Sequence, residues 1–213
     1  MDFLPEKLEK YVKAHCQEES QLLADLNRET WLKIMIPRML SGHVQGRVLS
    51  MFSKMIKPSY ILEIGTYTGY SALCFAEGLD EGGKIVTIDK NEELTPILEK
   101  FMLSSPYADQ IQFLVGHATD LIPKLDDGID LVFIDADKIN YSNYFDLVID
   151  KVRPGGFILA DNVLWSGNVV NEERMKDRST AAILEFNDKV QKDDRVENVL
   201  FPIRDGIMVI RKK

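Results

Sequence analysis

Two short stretches concentrate the side chains best suited to chemistry. Asp135-Ala-Asp-Lys138 and Asp161-Asn162 each follow an apolar run, Ile129 to Ile134 and Gly156 to Ala160. Two carboxylates and a carboxamide at neighbouring strand ends form an all-oxygen set suited to Mg2+, Ca2+ or Mn2+ and poor for zinc. Without a cation, Asp135 and Asp161 would repel and raise each other's pKa. The plainer alternative, helix capping plus one pair with Lys138, explains the set less well. Lys138 beside a divalent cation could have its pKa lowered enough to act as a base, or could serve only as a salt-bridge partner. The sequence leaves both open. Asp137 reads as a supporting or surface acid, and Tyr141, Tyr144 and Trp165 as pocket walls or core.

A second constellation lies earlier, in Tyr60-Ile-Leu-Glu-Ile-Gly-Thr-Tyr-Thr-Gly-Tyr-Ser71. An apolar run reaches Gly65, and a helical pattern starts from Gly69, which spells strand, tight turn, helix. Glycine there lets a ligand approach the backbone, and Ser71 adds a hydroxyl. Glu63 is an acid in an apolar strand, so it must be paired, neutral or aimed at a ligand's donors. Asp89 closes the next strand. An acid there can accept both hydroxyls of a ribose, in a nicotinamide dinucleotide or in S-adenosylmethionine, or can simply cap a helix.

The elements that position these residues follow from periodicity. From Pro5 to about Ser53 the pattern is helical, with faces Leu4, Leu8, Tyr11, Val12; Leu22, Leu23, Leu26, Leu32; and Val44, Val48, Leu49, Phe52. Pro37 separates the last two. From Tyr60 strands and helices alternate: strands at 60–64, 84–88, 111–115, 129–134 and 156–160, with helices at 92–103, 120–125 and 144–152. Pro154-Gly155-Gly156 reads as the turn before the fifth strand. Near-continuous apolar strands imply a parallel sheet covered on both faces, with right-handed crossovers. After a helix over 180–190, Val196 to Phe201 and Ile207 to Ile210 are too close for a parallel crossover and must form an antiparallel hairpin. The expectation is an α/β, Rossmann-like, doubly wound, mostly parallel seven-stranded sheet with a final antiparallel hairpin. Residues 1–57 form a helical N-terminal cap and 58–213 the core of a single domain. Ligands then bind at the carboxyl ends of the strands. The polar stretch Ser166 to Ser179 is either a lid over substrate or a loose surface loop.

With 34 acids against 26 bases and a net charge of −8, the chain is not built for a broad nucleic-acid or anionic-membrane surface. Only Cys16 and Cys74 occur, which argues against a disulfide framework. The start, Met1 to Lys7, lacks the pattern of a signal peptide, and no run suits a transmembrane helix; the cytoplasm is expected.

At these residues the chain resembles the cation-dependent class I O-methyltransferases, the group of catechol and caffeoyl-CoA O-methyltransferases and their small bacterial relatives. The resemblance runs from about Met39 onward and rests on Leu62 to Ser71, Ile88-Asp89, Val132-Phe-Ile-Asp-Ala-Asp-Lys138 with Asn140-Tyr141, Ala160-Asp-Asn-Val-Leu-Trp-Ser-Gly167, and Pro202-Ile-Arg-Asp-Gly206. It implies that Glu63, Gly65, Thr66, Tyr67 and Ser71 surround the amino-acid part of S-adenosylmethionine, with Asp89 on the ribose, Ala118 against the adenine and Asp135 nearby. Met39 and Ser41 match an N-terminal contact to cofactor and substrate. Asp135, Asp161 and Asn162 match the ligands of Mg2+ (or Mn2+/Ca2+), and Lys138 the general base. Asp137 follows the plant-type pattern, whereas the plant enzymes' long substrate-recognition insertions have no counterpart in 166–179, which leaves the acceptor open.

The resemblance therefore implies methyl transfer to one hydroxyl of a small aromatic vicinal diol, by a homodimer built through the N-terminal helices. The rivals are methylation of a hydroxylated uridine in tRNA, with Lys33, Arg38 and Arg47 as phosphate contacts, and a non-catalytic protein that binds the cofactor. A nicotinamide dehydrogenase is disfavoured because Gly65-Thr-Tyr-Thr-Gly69 lacks the G-x-G-x-x-G spacing.

Overall fold

A computed structural model describes residues 4–213; Met1, Asp2 and Phe3, which belong to the stretch read for a signal peptide, lie outside the described residues. Seven strands are present: β1 (Tyr60–Ile64), β2 (Lys84–Asp89), β3 (Ile111–Val115), β4 (Ile129–Ile134), β5 (Val152–Asp161), β6 (Val196–Phe201) and β7 (Ile207–Lys212). They form a seven-stranded sheet in the order β3-β2-β1-β4-β5-β7-β6. The mostly parallel α/β fold with a final antiparallel hairpin is the one expected. The chain divides into two compact units, one of Tyr60–Gly65 with His117–Lys213, the other of the chain up to Ser59 with Thr66–Gly116.

In the first unit β1 pairs β4 and β4 pairs β5 in parallel, while β7 lies antiparallel between β5 and β6. Every residue of β4 is buried, as a strand covered on both faces requires. Helices α6 (Ala118–Leu121), α7 (Tyr141–Ile149) and α8 (Arg178–Lys192) belong to this unit. Phe186 of α8 meets Tyr141 edge-on at 5.4 Å and Phe145 at 6.3 Å, the offset geometry that ring quadrupoles favour.

The largest departures from the expected boundaries lie at β5 and α7. Pro154-Gly155-Gly156 lies inside β5, not before it. Ile129 faces Val152 but Leu131 faces Phe157, so a step of two on β4 meets a step of five on β5. The excess residues form a bulge, which tolerates a proline that has no N–H and uses Gly155 at φ 77°. Helix α7 begins at Tyr141 rather than Tyr144, because a 3-10 turn at Lys138–Asn140 leads straight into it.

The second unit holds α1 (Glu6–Ala14), α2 (Gln21–Lys33), α3 (Gly42–Ile56), α4 (Tyr70–Ala76), α5 (Thr95–Met102) and the parallel pair β2–β3. Ser20 caps α2 by accepting from Leu23 N–H, and α3 ends at Lys57 in the left-handed region. Helices α3 and α4 approach closely at Gly46, where an added Cβ would lie 2.6 Å from Tyr70 Cε1. The apolar faces of the N-terminal helices are only partly used. Leu23, Leu26 and Leu49 are buried, yet Leu4, Leu8, Tyr11, Trp31, Leu32, Met35, Met51 and Met55 are exposed. Among the described residues no helix is long and apolar enough to cross a membrane.

Candidate active site

In the first unit the chemistry gathers around the Lys138 ammonium. Lys138 Nζ donates to Asp135 Oδ1 at 3.1 Å, to Asn162 Oδ1 at 2.8 Å and to the Tyr141 hydroxyl oxygen at 2.5 Å. Its side chain is only 9% exposed, against 25% for Asp135. The nitrogen lies 4.6 Å from the Tyr141 ring centroid and 6.0 Å from that of Trp165. Tyr141 is fully buried, and its hydroxyl donates onward to the carbonyls of Asp161 and Ile134. Burial first, and the Asp135 and Asp161 carboxylates second, hold the Tyr141 hydroxyl well above the usual tyrosine pKa. It therefore stays protonated and serves as a fixed relay between Lys138 and the backbone.

The backbone is shaped to bring these groups together. Gly65, directly after β1, has φ 101°, and a Cβ there would lie 2.0 Å from the Asp135 carbonyl oxygen. No other residue fits where the chain ends of β1 and β4 touch. Asn162 sits in the left-handed region at φ 60°, and Asp161 Oδ1 accepts its N–H at 2.8 Å. Trp165 and Ser166 share that region at φ 46° and 55°, conformations that cost about 1–3 kcal/mol each for such residues. The cost is offset from the β6–β7 turn: Asp205 Oδ1 accepts from Ser166 N–H at 2.5 Å, and the carbonyls of Asp205 and Gly206 accept from Leu164 and Val163. Asp205 thus fixes the backbone at Ser166, a contact the sequence did not reveal.

Asp137 is clamped rather than loose. Its Oδ1 accepts from the Tyr144 hydroxyl at 2.6 Å and its Oδ2 from Asn140 at 2.5 Å, which frames the loop carrying Lys138. Burial, reinforced by Asp137, raises the Tyr144 pKa. Glu63 is fully buried in β1, and Ala118, 8% exposed, opens α6.

The described residues hold no group of three or more His, Cys, Asp or Glu side chains placed to bind a metal. The set read from sequence has two such carboxylates and completes itself with a carboxamide. Its donors fit a hard cation: Asp135 Oδ1 and Asn162 Oδ1 already converge on one positive charge, the Lys138 ammonium, and all are oxygens.

In the second unit the turn after Gly65 is organised by Asp89. Its Oδ2 accepts from Tyr67 N–H at 2.8 Å and its Oδ1 from Asn91 N–H at 2.9 Å. Each oxygen keeps a lone pair for a further donor. Tyr67 is left-handed at φ 49°. Thr66 and Thr87 hydroxyls meet at 2.6 Å, and Ser71 is buried in the first turn of α4. The Tyr67 hydroxyl donates to the Ile36 carbonyl at 3.0 Å, tying this turn to the segment that leads to Met39 and Ser41. Met39 is exposed, and Ser41 directly precedes α3.

Two sequence readings resolve otherwise. Arg47, considered as a phosphate contact, makes a bidentate pair with Glu77 at 2.8 and 2.9 Å inside the unit. Lys33 is paired with Glu29. His15 and His43 contact backbone carbonyls, of Tyr11 and Gln17, as structural residues do.

Against known proteins, residues 13–213 match a family model described as O-methyltransferase. Caffeoyl-CoA O-methyltransferase 1 of Eucalyptus globulus is 36% identical over 178 residues, covering 79% of this chain and 72% of the relative. Its namesake in Arabidopsis thaliana is 37% identical over 186 residues, covering 79% and 69%. Among solved structures, an O-methyltransferase from Bacillus cereus in complex with SAH superposes with TM-score 0.89 at 25% identity, over 97% of both chains. A SAH-bound methyltransferase from Podospora anserina gives TM-score 0.90 at 25% identity, over 100% of this chain and 99% of its own.

Proposed function

Because the chain belongs to the O-methyltransferase family, we propose that it moves the methyl group of S-adenosylmethionine to one hydroxyl of an aromatic vicinal diol, with a divalent cation. The observation that carries this reading is the convergence of Asp135 Oδ1 and Asn162 Oδ1 on Lys138 Nζ. The relatives' names point to a small phenolic acceptor, and the two solved structures that hold SAH, the demethylated cofactor, support S-adenosylmethionine.

Asp135, Asp161 and Asn162 would hold Mg2+, or Mn2+ or Ca2+. Bound there, the cation supplies Lewis acidity that lowers the pKa of a chelated hydroxyl. Lys138, once it has given up its own ammonium proton, would take the proton of the hydroxyl to be methylated, and the new oxygen–carbon bond would form as the carbon–sulfur bond breaks, leaving a thioether. Tyr141 accepts from the resulting ammonium and, held protonated by burial, does not compete as a base. Trp165 walls this pocket from water. Asp89 accepts the ribose hydroxyls; Glu63, Gly65, Thr66, Tyr67 and Ser71 take the amino-acid part, Ala118 the adenine, and Met39 with Ser41 a shared contact to cofactor and acceptor. Alignment supplies much of the rate, since effective molarities of roughly 10⁵ M and above are available to oriented groups.

A homodimer is part of the proposal. The exposed Leu8, Tyr11 and Trp31 of the N-terminal helices, with Met35 in the connection after α2, offer it apolar surface. Sedimentation equilibrium tests it directly.

The enzymatic test is methyl transfer from S-adenosylmethionine to caffeic acid, caffeoyl-CoA, a simple catechol and total tRNA, each with Mg2+ and with EDTA. Product on a catechol only when cation is present is the expected result. Full activity in EDTA overturns the cation's role, and product on tRNA alone overturns the acceptor.

A further inference from the structure

Two adjacent residues of α8 reach the two halves of the Lys138 cluster. Phe186 packs edge-on against Tyr141 at 5.4 Å, and the Tyr141 hydroxyl accepts from Lys138. Asn187, the next residue, donates from Nδ2 to the Val163 carbonyl at 3.0 Å. Val163 is fully buried and directly follows Asn162, whose Oδ1 accepts from Lys138 at 2.8 Å. A single turn of α8 therefore backs both the ammonium and the carboxamide it meets. Neighbours in a helix keep a fixed spacing, so the helix can set the separation of the two groups.

The backbone at Asn162 needs such an anchor. Asn162, Trp165 and Ser166 are left-handed, and non-glycine residues stay so only where their surroundings over-determine them. The hairpin turn holds this loop by its N–H groups: Val163 donates to the Gly206 carbonyl and Leu164 to that of Asp205. Helix α8 holds it by the Val163 carbonyl, through Asn187. The bond adds little to stability. Asn187 Oδ1 is buried and meets no donor among the described residues, and a buried acceptor left unpaired costs at least as much as a typical neutral hydrogen bond returns. Thr180 Oγ1, in the same helix, is also buried without a partner. The two orphaned groups differ in one respect: the Asn187 side chain holds the loop of Asn162, and the Thr180 hydroxyl holds nothing.

We propose that Asn187 is a positioning residue: its amide fixes the Val163 carbonyl and, through the backbone, the place of Asn162 Oδ1 in the oxygen set for the cation. It acts on the reaction through Val163, not by contact with a reacting group. The inference rests on the cation-assisted methyl-transfer reading given above, because that reading gives Asn162 its task.

The test compares the unaltered enzyme with Asn187→Leu, Asn187→Ala and Thr180→Val, the last removing the other orphaned group. Asn187→Leu replaces the amide with similar bulk, and Asn187→Ala removes it with none added, which covers a leucine that does not fit. Mn2+ affinity is read by paramagnetic resonance of the free ion, kcat on a simple catechol, hydrogen exchange on the peptide over 162–167, and stability by the urea midpoint. Both Asn187 variants should bind Mn2+ about tenfold more weakly, turn over about tenfold more slowly and exchange about tenfold faster over 162–167, the upper end for one neutral hydrogen bond. Asn187→Leu should do so without a lower urea midpoint. KM for S-adenosylmethionine, whose proposed contacts all lie outside 162–167, should stay as it was. Thr180→Val should change none of these values. Losses that Thr180→Val shares, or that follow a lowered midpoint, make Asn187 a structural contact and overturn the inference. Unchanged Mn2+ affinity and kcat in both Asn187 variants overturn it as well, and leave methyl transfer standing. An unaltered protein that neither binds Mn2+ nor turns over a catechol overturns the methyl-transfer reading instead. Exchange over 162–167 then decides alone: faster only in the Asn187 variants keeps Asn187 as the holder of the loop, and equal rates overturn it.

Discussion

Two clusters of this protein are made of the same materials and put them to different use. In the second unit Glu77 accepts both terminal nitrogens of Arg47, the Ser50 hydroxyl at 2.7 Å and Lys54 at 3.2 Å. In the first unit Lys138 is shared among Asp135, Asn162 and Tyr141. Both are cation–carboxylate networks with little exposure: the side chains of Arg47 and Glu77 are 11% and 16% exposed. The Glu77 network is centred on its anion, which accepts from four donors, and rests on helical backbone. The Lys138 network is centred on its cation, ends on a carboxylate that still meets solvent, and is flanked by left-handed Asn162 and Trp165. A carboxylate ringed by four donors on helical backbone is what a charge pair kept for folding calls for. A buried cation flanked by strained backbone, beside a carboxylate that meets solvent, is what the proposed reaction calls for.

The comparison is most sharply tested at its two centres. Lys138→Met should lower kcat about 10²- to 10⁴-fold, the scale of a lost general base, with the denaturation midpoint little moved. An equal loss of stability would make Lys138 a structural partner like Arg47. Glu77→Gln should do the reverse: about 3 kcal/mol less stability in urea, because Arg47 is left without its counter-charge, and kcat per folded molecule within about twofold. The pH response follows from the same group. Burial alone would raise the Glu77 carboxyl, but the bonds from Arg47 and Ser50 outweigh it and leave the folded pKa below the ordinary 4.5. That stabilisation is complete above the ordinary value and is withdrawn as the pH falls through the lower folded one. The acid limb of the stability curve should therefore be shallower in Glu77→Gln. The smallest effect is expected at Asp205→Ala, which frees Ser166 N–H and lets Trp165 wander: kcat about tenfold lower, with a stability loss of about 1–2 kcal/mol by thermal melting.

The sheet was legible because its strands are apolar on both faces, as in Ile61, Leu62 and the whole of β4, and because the hairpin after Val196 allowed only one connection. Asp135, Lys138 and Asn162 were legible as a group because strand ends of a parallel sheet bring such residues together. What escaped was set by distant partners. The start of β5 was hidden since a bulge makes Pro154-Gly155-Gly156 look like a turn. Arg47 and Glu77 stand 30 residues apart, and neither belongs to a local motif. Asp205 acts on a backbone N–H 39 residues earlier, a relation that no spacing rule contains. The segments around Leu8 and Leu32 were legible as helix, but Leu32, grouped from sequence with Leu23 and Leu26, is exposed where those two are buried, since periodicity cannot say which face the same chain covers.

The place of β7 between β5 and β6 bears on how the protein is made. A ribosome delivers Asp161, Asn162 and Trp165 well before Asp205, and domains begin folding as they emerge. Until β7 has been synthesised, β5 presents an unpaired edge, and β6, which pairs only with β7, has no partner. Such an edge invites pairing with other chains. The nascent protein therefore holds Asp161, Asn162 and Trp165 before it holds the strand that arranges them, and between residues 161 and 212 the β5 edge stands open to mispairing.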